Sequence, residues 1–327
     1  MQDRHRYLLK RGVLSAFSIF VVATVLFLLF RLMPGDPTLA VVEPTMTEEH
    51  RQILREQFGL DKPLYVQYGL YMENLLHGNL GRSFRKSSPV SALIGSKLAN
   101  TLVLTLSSVV ISYVIGILLG GLLAWYRNSN IDYFGSGFVV VTYAAPVFWV
   151  GMMSIMVFSF RLGWLPTGGM QSSRATYNGL LDLYFSVGFL KHLILPLTVM
   201  VLYGLTIPAI TMRNNMIDVL NQDFIQMSRV AGLSEWSIMY RHAARNALLP
   251  VVHHAAVSIG FAMGGSVVIE SVFSWPGIGR TMWQAVLTQD LPLAQGTFLV
   301  LASSIIILNF VADALSVYID PRAGMTE

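Results

Sequence analysis

A chain of 327 residues that is 54% hydrophobic and only 12% charged, with mean hydropathy +0.58, lacks the roughly 25% charged residues of an ordinary soluble domain. Its formal charge of +4 and pI near 9.3 come from basic residues that are scattered and often flank apolar runs, which speaks for orientation in a bilayer and against nucleic-acid binding. With no cysteine, a disulfide framework and a thiolate metal site are both excluded.

A hydrocarbon core about 30 Å thick needs roughly 20 apolar residues in a helix, and about six such runs occur. The first, Gly12 to Leu32, follows Arg4, Arg6, Lys10 and Arg11 and is too long for a cleaved signal segment. Met33-Pro34-Gly35-Asp36-Pro37 breaks it, and a long polar segment runs on to about Lys97. Within that segment Thr47 to Phe58 has helical spacing, with Thr47 as N-cap and Gly59 as stop.

The second span, Ala99 to Trp125, carries Gly116 and Gly120 four residues apart, a spacing that lets another helix approach closely. The third, Asp132 to Phe160, contains Pro146 and is expected to be one kinked span. A loop with Trp164, Pro166, Gly168 and Gly169 leads to the fourth, Leu193 to Met212, bent by Pro196 and Pro208. The fifth is Leu248 to Ile269, with Gly260, Gly264 and Gly265, and the sixth is Leu293 to Tyr318. Six spans put both termini on one side, and the basic amino terminus makes that side the cytoplasm. The first outer loop exceeds the length over which the charge rule operates; without it, Lys and Arg concentrate on the amino-terminal side.

The only sizeable cytoplasmic segment in this topology is Arg213 to Ala247. Phe224, Met227, Val230 and Ala231 share one helical face, Gly232 can stop that helix and Ser234 can cap the next, giving two short helices joined at a glycine. An apolar stripe there needs cover, from a partner protein or from the membrane surface and the ends of the spans.

This segment, with Gly232 and the closing Arg241-His242-Ala243-Ala244-Arg245-Asn246-Ala247-Leu248-Leu249-Pro250, resembles the coupling loop of ABC importer permeases of the dipeptide, oligopeptide, glutathione and nickel group. The resemblance runs through the chain in family order. It includes Leu32 to Pro37, Phe58-Gly59-Leu60-Asp61-Lys62-Pro63-Leu64 with Gln67-Tyr68, Gly78-Asn79-Leu80-Gly81-Arg82-Ser83, Leu162 to Gly169, Phe273-Ser274-Trp275-Pro276-Gly277-Ile278-Gly279 and Asp320-Pro321-Arg322. The chain departs from the pattern at Gln226 and Ala231, where basic residues are common, and at Asn79, where an aspartate is common.

The resemblance implies an all-α integral membrane protein with about six transmembrane helices of the type I importer permease fold and a long extracytoplasmic loop after the first helix. Residues 1–98 would form the amino-terminal segment, first helix and extracytoplasmic region. Residues 99–320 would form the transmembrane domain with its coupling loop at 213–247, and residues 321–327 a cytoplasmic tail. The expected home is a bacterial or archaeal plasma membrane, the inner membrane in a Gram-negative cell.

No G-x-x-x-x-G-K-[ST] phosphate loop is present, so ATP and Mg are expected on separate subunits, with no cofactor on this chain and no enzymatic activity of its own. The partners implied are a second related permease, two ATP-binding subunits, an extracytoplasmic solute-binding protein and the lipid bilayer. Asp223, Phe224, Met227, Arg229, Gly232, Arg241, His242, Arg245 and Asn246 are the residues expected to couple to the ATPase. Glu270, Phe273, Trp275, Pro276 and Gly277 are expected either at a gate or binding-protein surface, or in a purely structural turn.

Ionisable residues in spans face protein or water, which singles out His253, His254 and Asp313 as pathway candidates. Asn309, four residues from Asp313, could instead pair with it as interhelical glue. Two rivals fit less well: an ion-coupled transporter needs inverted repeats, and an intramembrane enzyme needs a paired carboxylate or a Gly-x-Ser-x-Gly turn.

Overall fold

The computed structural model describes residues 2–32, 62–172, 177 and 179–319. The expected Thr47–Phe58 helix, the 321–327 tail and the side chain of His253 lie outside the described residues. Among those residues the chain is helical throughout, apart from turns and one isolated bridge between Arg82 and Pro89.

Helix α1 spans Gln2–Leu32, α2 Leu64–Leu76 and α3 Val90–Trp125. Helix α4 is Asn130–Ala144, and α5 is Val147–Ser154, extended by a π-helical stretch Ile155–Arg161. The short α6, Leu180–Tyr184, precedes α7, Val187–Gly204, and α8, Thr206–Leu220. Helix α9 is Asp223–Val230; α10, Glu235–Ser237, passes through a π stretch, Ile238–Ala243, into α11, Ala244–Val272. Helices α12, Ile278–Leu287, and α13, Leu291–Ile319, complete the order.

Four segments are long and apolar enough to cross a membrane without a sharp break: His5–Leu32, Val90–Trp125, Val187–Leu220 and Leu291–Ala314. Two bent pairs bring the number to six if each is one span. The pair around Pro146, expected as one kinked span, has halves that meet at 98°. Proline disfavours helical geometry in the residue before it; Ala145 is accordingly extended (ψ 135°), and Pro146, extended as well, is the N-cap of α5. The second pair bends by 46° between Glu235–Val252 and Val257–Val272, just beyond Pro250, whose missing N–H breaks the hydrogen-bond ladder.

Other boundaries also move. At 36 residues α3 is about 54 Å long at 1.5 Å per residue, and it starts at Val90 because Val90 and Ile94 are buried in a cluster with Met263, Ile278 and Leu293. The fourth span starts at Val187, where the Ser186 side chain accepts from Phe189 N at 3.0 Å. It runs on to Leu220, so the first residues of the expected loop 213–247 are helix. Helices α2 and α12 have no counterpart in the spans read from the sequence.

The expected close approach is made by α3 on α8. A Cβ at Gly116 would lie 2.7 Å from Pro208 Cγ, and one at Gly120 would collide with the Ala209 carbonyl oxygen. Of the second pair, Gly260 packs under Asn309, whereas a Cβ at Gly264 would meet nothing nearer than Ile305 at 3.8 Å.

The Gly120→Ala substitution is therefore expected to force α3 from α8 and destabilise the protein by about 1–3 kcal/mol. Gly137→Ala, with open space around its Cβ, is the control and should be neutral or slightly stabilising. Thermal unfolding in detergent checks this; equal melting of the two variants contradicts the packing.

Candidate functional site

The candidate coupling segment is rooted by one residue that the sequence reading passed over. Ile225 is fully buried among Met216, Ile238, Met239 and Ala243, and Phe224 packs partly against the same cluster. This leaves Met227 and Val230 on the opposite side of α9, 73% and 90% exposed. Phe224 thus belongs more to the root than to the exposed stripe it was expected to share. Asp223 sits in the first turn, where a negative charge suits the helix N-terminus, and Arg229 in the last.

The end of α9 is built by its backbone. Gly232 has φ +77°, a left-handed conformation that costs glycine nothing. Its N–H reaches Arg229 O at 2.9 Å, and Leu233 N reaches Ser228 O at 3.2 Å, the paired bonds of a Schellman termination. No side chain crowds the position, so the requirement for glycine is conformational. Ser234 then accepts from Ser237 N at 3.3 Å and starts the next helix. Arg229 bridges the turn to Glu235 at 3.3 Å, an exposed pair worth at most about 1 kcal/mol.

The second helix of the expected pair is not a separate short one. It continues through the π stretch directly into α11, so the Gly232 turn opens straight onto a bundle helix. Arg241, His242, Arg245 and Asn246 lie on this track and line an open cleft of about 890 Å³, together with Tyr240, Ile117, Met212 and Leu248. Asn246 Nδ2 donates to His242 O at 2.7 Å. Beside the cleft, Trp236 and Tyr240 stack with centroids 5.2 Å apart.

A second unforeseen contact holds the same end of the bundle. Arg213 on α8 donates from Nε and from its terminal nitrogen to the two carboxylate oxygens of Asp132, both at 2.7 Å. Asp132 also accepts from Ser136 Oγ and Asn128 N, so the first turn of α4 is fastened to α8.

At the other end of α11 the residues expected at a gate or binding-protein surface are inside the chain. Glu270, Phe273, Trp275 and Gly277 are buried and Pro276 is half-buried, so in this conformation they pack as a structural turn, the other arrangement expected of them. The reason is a dense set of hydrogen bonds. Thr101 Oγ1 donates to Glu270 Oε1 at 2.7 Å, Arg280 N donates to Oε2 at 2.9 Å, and Trp275 Nε1 donates to Asn100 O at 3.0 Å. Asn100 Nδ2 in turn donates to Pro276 O at 2.8 Å, and Gly169 N donates to Phe273 O at 2.8 Å.

Of the pathway candidates, Asp313 pairs with Arg11 of α1 at 3.4 Å. It does not pair with Asn309, which faces Gly260 of α11, so its charge ties α1 to α13. His254 has an exposed side chain on α11.

Residues 116–325 match the family described as the binding-protein-dependent transport system inner membrane component, and residues 4–105 match its amino-terminal counterpart. The chain belongs to this family. A Brucella suis protein described as a peptide permease is 38% identical over 325 residues, 98% of each chain. The oligopeptide transport system permease protein AppB of Bacillus subtilis is 35% identical over 317 residues, covering 97% of this chain and 98% of that one. The dipeptide transport system permease protein DppB of Alkalihalophilus pseudofirmus is 34% identical over 327 residues, with the same shares. An inward-facing structure of the MetNI methionine ABC transporter matches 70% of this chain and 96% of its own with a TM-score of 0.54 at 17% identity, which establishes the shared type I importer permease fold.

The protein is thus a membrane-embedded permease subunit of a binding-protein-dependent ABC importer, a system that works with ATPase and solute-binding partners. Helices α4 and α8 carry the Asp132–Arg213 contact just described. Breaking this largely buried bidentate pair in the permease by Asp132→Ala or Arg213→Ala should cost about 3 kcal/mol each. The double variant should cost much less than the sum, as read from a thermal double-mutant cycle; strict additivity would show that the pair does not hold α4 to α8.

Proposed function

We propose that this chain forms one half of the translocation pathway of an ATP-driven importer and is moved by ATPase subunits that grip α9. The observation that carries the reading is the arrangement of α9. Ile225 anchors it, Met227 and Val230 stand out in the open, and the Gly232 turn connects it without a loop to α11. An apolar face of this kind on a short rooted helix suits a groove on a partner protein. Pulling α9 would then move α8 and α11 as levers on either side of it, with Arg241, His242 and Arg245 close to the contact.

The same reading assigns the Gly232 end to the cytoplasm, with both termini there, and the Phe273 end to the outside. The assembly would hold this chain, a related second permease, two ATP-binding subunits carrying ATP and Mg, and an extracytoplasmic binding protein. The relatives named for peptide, oligopeptide and dipeptide transport support peptides as the cargo class. The family match favours this function over an ion-coupled transporter.

Met227→Asp combined with Val230→Asp should leave membrane insertion and thermal stability nearly unchanged, because exposed substitutions shift stability by about 0.5 kcal/mol or less. Copurification of the ATPase subunits should fall sharply; undiminished copurification contradicts docking on α9. Gly232→Pro cannot adopt φ +77° and removes the N–H bonded to Arg229 O, so ATP-driven uptake should be lost. Normal uptake with normal ATP coupling would sink the lever.

A further inference from the structure

Glu270 is fully buried, yet no lysine or arginine side chain among the described residues pairs with it. The guanidinium of Arg280, whose backbone N–H reaches Glu270, donates to Ser274 O at 2.7 Å instead. A buried carboxylate requires compensation, and here it comes from neutral donors on two other helices. Helix α12 has no side-chain cap of its own, since Gly277 stands at its N-cap position. Glu270 fills that role from α11 by accepting from Arg280 N, in the first turn of α12, where the helix dipole favours a negative charge.

The other oxygen accepts from Thr101 of α3, and the same Thr101 hydroxyl accepts from Ile278 N at 2.9 Å. The loop is shaped around this group: a Cβ on Gly277 would collide with the carboxylate, and one on Gly279 would lie 3.0 Å from Oε2. The far end of α12 is tied to the same neighbour. Asp290, buried just beyond it, accepts from Ser83 Oγ, Phe84 N and Arg85 N on the approach to α3.

We propose that Glu270 is the positioning residue through which movement of α11 reaches the outer rim: its carboxylate staples α11, α3 and α12 into one block, so that α12 turns with α11 when the importer changes state. The proposal rests on the importer reading for its two nucleotide states, for the outer side of the membrane and for α11 as the moved helix. The helical track that leaves the Gly232 turn runs through α10 and the π stretch into α11, which ends at Val272, two residues beyond Glu270, so the staple sits at the opposite end of the proposed lever. Both carboxylate oxygens accept; a glutamine can keep the acceptor for Arg280 N, but its NH2 then meets the Thr101 hydroxyl, so the bond that Thr101 donates, and the charge behind it, are lost. Losing one such charge-assisted bond shifts a docked to undocked equilibrium about tenfold.

The test uses the assembled importer in nanodiscs, with spin labels at Leu106→Cys on α3 and Leu287→Cys on α12. Both positions are exposed, and the chain has no cysteine of its own. The α3 to α12 distance is measured without nucleotide and with ATP and vanadate, alongside cargo taken up per ATP hydrolysed. The expected wild-type distance is narrow and equal in both states. Glu270→Gln and Thr101→Val should broaden it and lower uptake per ATP about tenfold, while Thr101→Ser, which keeps the hydroxyl, should restore both.

A wild-type distance that changes between states overturns the proposal, as does wild-type coupling in both Glu270→Gln and Thr101→Val. Should Glu270→Gln fail to assemble, the Thr101→Val and Thr101→Ser pair still decides, since the two differ at the hydroxyl and a methyl. Failure of docking on α9 shows separately, as lost ATPase copurification.

Discussion

In a helical bundle immersed in lipid, the hydrocarbon offers a polar group no partner, so a buried donor or acceptor away from a water-filled pathway is satisfied by the protein itself. Helix α3 shows how strongly this constraint organises the structure. Thr101, Thr105, Ser108 and Ser112 line one buried face of it, and each hydroxyl is satisfied. Thr105 and Ser108 turn back to the carbonyls of their own helix, Ser112 reaches Val201 O on α7, and Thr101 reaches Glu270 on α11. Further along α3, small residues replace hydroxyls: Gly116 and Gly120 let α8 come into backbone contact. One helix thereby touches α7, α8, α11 and α12, and the others are arranged around it.

From that arrangement follows a division of labour between the two ends of α11. At the Gly232 end the contacts are mixed, with a rooted Ile225, exposed Met227 and Val230, and an open cleft bordered by Arg241 and Arg245. At the Glu270 end the contacts are closed, with Phe273 and Trp275 buried and the turn tied to α3 and to Gly169. A surface left open suits exchangeable contact with a motor, while a closed one suits transmission of its movement. The bend after Pro250 lies between the two, and π stretches precede α11 and end α5. Such stretches leave some carbonyls less well bonded and are common where helices must adjust.

The reading of individual residues divides along the same physical line. The helical class, the spans, the close approach at Gly116 and Gly120 and the turn at Gly232 were legible, because they depend on local quantities: apolar length, the absence of a side chain and the preference of glycine for positive φ. Family membership was legible from ordered motifs. Glu270, Phe273 and Trp275 were noticed but left between a surface and a structural turn, since a polar and aromatic turn reads the same whether it faces a partner or is wrapped by its own chain. Asp132, Arg213, Asp290 and Ile225 gave no local signal. The polar partners lie far away in sequence, 81 residues in the case of Arg213 and Asp132 and 207 for Ser83 and Asp290, while Ile225 is buried by the way α9 folds back on α8 and the π stretch.

By itself, then, the sequence determined that this protein lives in a bilayer, that it is helical, where its chain must turn, and which family it joins. Each of these follows from interactions among residues close along the chain or from the balance of apolar and charged groups. Only the tertiary structure decided that Asp313 pairs with Arg11, that the break at Pro146 is a 98° corner, and that the Glu270 carboxylate caps a helix other than its own. Those outcomes depend on which helices lie side by side, and in the lipid-filled surroundings of the bundle that choice is made by packing shape and by the need to satisfy every buried polar group.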